Sequence, residues 1–210
     1  KHRTAVDLTE EVLSNYIGNI DGIDFTDKQQ VLQASFDVKS YFLGYLESAV
    51  KVAREKQRII QINSHWKTLV IFPDSHEIWL EAEDVQLRAF SGILMKNWAK
   101  KITLNAADPN KIGCYEQMSK FYTTEALLWK VAIWTSKGRY PSHIDIHKPV
   151  HLTQWPNFTR LLMTPHALQI AAVLVSTPKL MLEVTQQLDI KPEYVFIFIS
   201  AANELGFVSQ

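Results

Sequence analysis

The 210-residue chain reads as an α+β fold, mostly helical. Three observations predict it. Apolar residues recur at helical spacing over the first sixty positions and again from about residue 122. Between those blocks, WKTLVIFPDSHEIWLEA (66–82) places a turn between two β-branched, aromatic or alternating runs. A stretch with three prolines, 139–157, then sets off a last helical block, 158–210. The predicted organisation is a helical N-terminal region with a β-hairpin near 66–82 (1–138), a Pro/His-rich connector (139–157) and a C-terminal helical module (158–210).

In chain order, DLTEEVLSNYIGNI predicts a helix with Leu8, Val12 and either Tyr16 or Ile17 on one face, broken at Asp21-Gly22. The next helix takes Thr26 as its N-cap and carries Val31, Phe36, Leu43, Leu46 and Val50 inward. Its end, KVAREKQR, holds Lys51, Arg54, Lys56 and Arg58 against one acid, Glu55. Such a run reads first as a solvated helix face, and secondly as a polyanion contact. The hairpin strands fall at 67–72 and 76–81, EDVQLRAFSGIL makes a helix with acids at its start, and KITLNA (101–106) adds a third strand. Asp108-Pro109-Asn110 and Gly113 mark a loop. YTTEALLWKVAIWTSKGR is the clearest helix: Thr123 or Thr124 caps it, Leu127, Val131 and Trp134 form its stripe, and Gly138 ends it.

Within the last block, Pro165 divides a short helix from a longer one capped by Thr164, with Leu168, Ala172 and Val175 on one side. LMLEVTQQLDI supplies a second helix, and Pro192 opens a third that runs to Leu205 before Gly206. Phe207-Val208 is extended. Helix, short helix, turn, helix and a closing strand resemble the helix-turn-helix and winged-helix superfamily, over residues 158–210. WPNFTRLLMTPHALQIAA is also similar to segments of bacterial regulatory proteins. The resemblance puts KPEYVFIFISAANELG at the recognition-helix position, where DNA readers carry Arg, Lys, Asn or Gln.

Residues 157–210 hold three bases (Arg160, Lys179, Lys191) and four acids (Glu183, Asp189, Glu193, Glu204), a poor match to a phosphate backbone. With Val195, Phe198 or Ile199, Ala202 and Leu205 inward, the residues Tyr194, Phe196, Ile197 and Ser200 are left over. Together with Phe207 they make a candidate partner-binding patch. A helix sandwiched inside the protein would be apolar all round for a different reason.

Charge and composition narrow the classes. With 22 basic and 22 acidic side chains the chain has no overall polyanion footprint. One cysteine, Cys114, permits no internal disulfide and points to a reducing compartment, the cytoplasm. No run is long enough to span a bilayer. KHRTAVDLTEE has no apolar signal-peptide core, and the absence of an initiator Met fits a fragment.

His143, Asp145, His147 and His151 have metal-like composition but sit in extended, proline-bracketed chain, so no metal site is expected. Glu81, Glu83 and Asp84 read as helix-start acids, and Cys114 has no neighbouring histidine. Trp66, Trp79 and Trp98 are first of all core, and secondly the lining of a groove. No Walker A, GxGxxG, GxSxG or HExxH is present, so no cofactor and no enzyme are expected.

The expectation is a cytoplasmic, bacterial, non-catalytic regulatory or adaptor protein that binds a protein partner or a second copy of itself. Two other readings stand beside it. One is a DNA-binding regulator whose cations come from 51–58 and Lys100-Lys101. The other is a sensor holding a small molecule or nucleotide, cyclic ones included, between its two parts.

Overall fold

In the computed structural model, which describes residues 7–20, 22–64, 66–97, 102–108 and 120–210, helix α5 (Thr124–Ser136) is the centre of the molecule. Every residue from Leu127 to Ser136 is buried, as suits a helix apolar on all sides. Thr123 caps it by accepting from the Ala126 N–H at 3.2 Å, one of the two caps the sequence offered.

One side of α5 carries an antiparallel five-stranded sheet in the order β5-β2-β3-β4-β6. Its strands are β2 (Ile60–Asn63), β3 (Leu69–Phe72), β4 (Glu77–Leu80), β5 (Thr103–Ala106) and β6 (Phe121–Thr123). Alternation sets the faces: Ile60, Ile62, Ile78, Leu80 and Tyr122 are buried, while Gln61, Glu77, Trp79 and Thr123 are half-buried. Helices α3 (Phe42–Lys56) and α5 pack on this sheet, and α4 (Asp84–Ser91) packs against α5. The expected hairpin is therefore the middle of a larger sheet. β2 was not among the expected strands; Gln57, left-handed at φ 49°, ends α3 and lets the chain turn into it.

The long helix expected from Thr26 is instead two. Asp27, not Thr26, caps α2 (Lys28–Gln33) by accepting from the Gln29 N–H at 2.8 Å. Asp37 caps a following 3-10 turn by accepting from Lys39 N–H at 3.1 Å. Between the caps, β1 (Ser35–Phe36) pairs in parallel with β7 (Tyr140–Pro141). Only Glu10–Ser14 of the first predicted helix is helical (α1), with Thr9 as its cap.

On the other side of α5 lies the C-terminal block: α6 (Ala167–Ser176), α7 (Met181–Leu188) and α8 (Pro192–Glu204). No helix precedes Thr164 in this block; Asn157 organises a turn there by accepting from the Thr159 N–H and hydroxyl at 3.2 and 2.6 Å. Thr164 does not cap α6 either, because the cap position falls to His166 at φ 60°. Gly206 takes φ 72° after α8, and β9 (Val208–Ser209) pairs with β8 (His151–Leu152). Val150 bridges to Lys179, so the stretch before α6 is the shared strand of this small layer. One apolar core runs through both blocks and through Ile144, Ile146, Val150 and Leu152 between them. Among the described residues no helix is long and apolar enough to cross a membrane.

Candidate functional site

The third helix of the C-terminal block, α8, packs on α5 more extensively than any other two elements pack among the described residues. That contact decides the fate of the proposed partner patch. Tyr194 is 5% exposed, Phe196 and Ile197 0%, Ser200 1% and Phe207 9%. The apolar face expected to point outward is inside: Phe196 meets Tyr140 edge-on at 5.0 Å and Phe25 at 6.0 Å. Ser200 donates to the Phe196 carbonyl at 2.7 Å and to the Arg139 carbonyl at 3.0 Å. These side chains pack between the two blocks.

A spacious cavity lies elsewhere, at the amino end of α5. It is a cleft of about 610 Å³ lined by Arg54, Ser75, His76, Glu77, Thr123, Thr124, Glu125 and Arg160. Four separate stretches build it. The last turn of α3 brings Arg54, the β3–β4 turn brings Ser75 and His76, the β6–α5 junction brings the threonines, and the Asn157 turn brings Arg160. The floor is locked by one hydrogen bond, from Thr124 N–H to the His76 carbonyl at 2.9 Å, beside the Glu77–Thr123 register pair. His76 is left-handed at φ 54°, which turns its carbonyl onto the helix start.

Both arginines are exposed, and among the described residues neither guanidinium has a hydrogen bond or ion pair. They approach from opposite blocks. With the positive end of the α5 macrodipole between them, the cleft favours negative charge at its base. Glu125 and Glu77 sit at its rim and limit the net charge, so the cleft suits a compact anion on a larger polar body rather than an extended polyanion.

The basic run is not one surface. Lys51 pairs with Glu55 at 3.9 Å and lines a separate cavity with Lys39 and Glu47, whereas Arg54 enters the cleft. Lys56 and Arg58 are exposed past the end of that face. The connector histidines diverge: His143 reaches Asn203 at 3.4 Å, His151 reaches the Val175 carbonyl at 3.3 Å, and the His147 N–H caps onto Asp145.

The three acids after the hairpin are dispersed as well. Glu81 accepts from Thr68 N–H at 3.1 Å, which with Lys67 nearby holds its carboxyl below the ordinary range. Glu83 begins α4, its N–H donating to Gln86 at 3.0 Å, and Asp84 binds Lys130 at 3.0 Å. Trp66 is stacked on Phe90 at 4.0 Å, so it is core. Trp98, Lys100, Lys101 and Cys114 lie outside the described residues.

Sequence reading reached Arg54 but not Arg160, His76 or Thr124 as partners of it. Nothing local marks them, since the cleft joins positions from 54 to 160 that meet only through the fold. Comparison with protein-family models, with curated proteins and with solved structures finds no match to this chain.

Proposed function

We propose that the chain is a non-catalytic regulatory protein of the ligand-sensing kind, whose cleft at the amino end of α5 binds a small phosphorylated molecule such as a nucleotide. The observation that carries this reading is the pair of exposed arginines, Arg54 and Arg160, entering one cavity of about 610 Å³ from opposite blocks. That volume falls in the range of ligand pockets, and their position between two packed units is a common one for binding sites. A ligand gripped by both arginines ties α3 to the Asn157 turn, and so couples occupancy to the C-terminal, winged-helix-like block. Its apolar helix α8 serves as the rigid joint through which that block is held, rather than as a partner or DNA surface.

A thermal-shift screen with nucleotides, cyclic nucleotides and sugar phosphates tests the reading. A ligand at a hundredfold excess over its Kd adds about 2.7 kcal/mol of stability. The expected result is a rise of several degrees in Tm for at least one phosphorylated compound and none for its dephosphorylated form. Equal shifts for both forms, or no shift across the panel, would oppose it.

A further inference from the structure

Residues 7–20 and 22–27 cross the outside of the C-terminal block with little regular structure of their own, α1 being five residues long. Their contacts follow a line. Leu8 N–H donates to the Met163 carbonyl at 2.9 Å, and Glu10 meets His166 at 2.8 Å while accepting from the Tyr194 hydroxyl at 3.4 Å. Gly18 N–H donates to the Lys137 carbonyl at 2.9 Å, and Ile20 N–H to Glu193 at 3.1 Å. Leu13 is buried, and Phe25 lies edge-on to Phe196. This segment covers the part of α8 that sequence reading left facing outward.

The cover is imperfectly sealed. Cavities of about 410 and 270 Å³ flank its line of contact and share His166 as a wall. Two buried polar atoms beside it, Thr164 Oγ1 and Glu193 Oε2, have no hydrogen-bond partner among the described residues. Glu193 is 2% exposed, wedged where a Cβ on Gly138 would sit 3.0 Å from its Cγ. A carboxylate oxygen buried without a partner disfavours the covered state, because water would satisfy it on opening. The apolar contacts of Leu13, Ile20 and Phe25 favour that state. Opposed terms of this kind, together with a short, hydrogen-bond-tethered segment, make the site of a local opening.

We infer that residues 7–20 and 22–27 form a displaceable strap whose release bares the amino half of α8, with Glu193, Tyr194 and Phe196 at its centre. The strap hydrates Glu193 and Thr164 when it leaves and returns Glu10 to His166 when it closes. The α5–α8 contact stays packed on opening.

Native-state hydrogen exchange and carbodiimide labelling of carboxylates, both on the full chain, test this. The amides of Leu8, Gly18 and Ile20 are expected to exchange at least tenfold faster than those of α5, at rates insensitive to low urea. Glu193 is expected to be labelled in the folded protein, and Glu10→Ala to raise both rates about fivefold with α5 exchange unchanged. If the strap amides and Glu193 react only through the opening that exposes α5, with the same urea dependence, the strap is a fixed part of the core and the inference fails. The wild-type measurement decides this alone, whatever the variant does, and none of it depends on the cleft binding a ligand.

Discussion

The Thr124 N–H donates to the His76 carbonyl at 2.9 Å, joining the first turn of the central helix to a hairpin turn 48 positions earlier. This bond uses a helix N–H that capping alone leaves unpaired, and it does so through a left-handed histidine. The result is a fixed floor on which Arg54 and Arg160 converge from either side.

Because both guanidiniums are exposed and carry no ion pair among the described residues, removing them should spare the fold. Arg54→Ala and Arg160→Ala are each expected to change unfolding free energy by less than about 0.5 kcal/mol, measured by urea denaturation. Each should also remove most of any shift produced by a phosphorylated ligand.

Phe196 has the opposite profile. It is fully buried between Tyr140 and Phe25, so Phe196→Ala should cost about 3–5 kcal/mol and Phe196→Asp should prevent folding, as read by circular dichroism. A folded Phe196→Asp protein that had lost only a binding partner would mean that this side chain faces outward.

Lys130 is buried and leans on Asp84 at 3.0 Å, while Asp84 is more than half exposed and also accepts from the Tyr122 hydroxyl. Solvent reaches one side of the pair, which reduces its worth. Asp84→Ala is expected to cost about 1–2 kcal/mol by leaving the lysine uncompensated, and adding Lys130→Met should recover most of it. Full additivity of the two losses in a double-mutant cycle would show that the pair is not coupled.

Glu204 is half-buried at the end of α8. Burial first, and then the neighbouring charge of Glu47, pushes its carboxyl up to about 8 from an ordinary 4.5. The folded state thus favours the neutral acid. Its contribution is complete below pH 4.5 and is lost as pH rises through about 8. Glu204→Gln should therefore match wild type at pH 4 and exceed it by at most about 5 kcal/mol at pH 9, in denaturation curves taken across that range. A constant difference at all pH values would contradict the shift.

These side chains also show which parts of the molecule were legible in the sequence. The helices α5, α7 and α8 and the β3–β4 hairpin follow from local pattern: cap residues, a period near 3.6, Pro192 at a helix start and a turn between alternating strands. The faces of α8 did not follow, because a helix apolar on every side carries no periodic signal of what covers it. Here α5 covers one side, and Ile20 and Phe25 of the N-terminal segment another. β2 and β6 were hidden for a related reason, since each is four residues or fewer and is fixed by pairing with distant strands. The cleft was least legible of all. Arg160 stands in a turn 106 positions from Arg54, and only tertiary packing gives the two a common neighbour in Thr124.

Anion binding in the cleft is tested most directly by a titration with inorganic phosphate and a nucleoside monophosphate, followed by backbone amide NMR of wild type and of an Arg54→Ala, Arg160→Ala double variant. Saturable shifts are expected at Ser75, His76, Thr124 and Glu125 in wild type, larger for the nucleotide, and lost in the double variant. Shifts centred elsewhere, or unchanged when both arginines are gone, would contradict anion binding there.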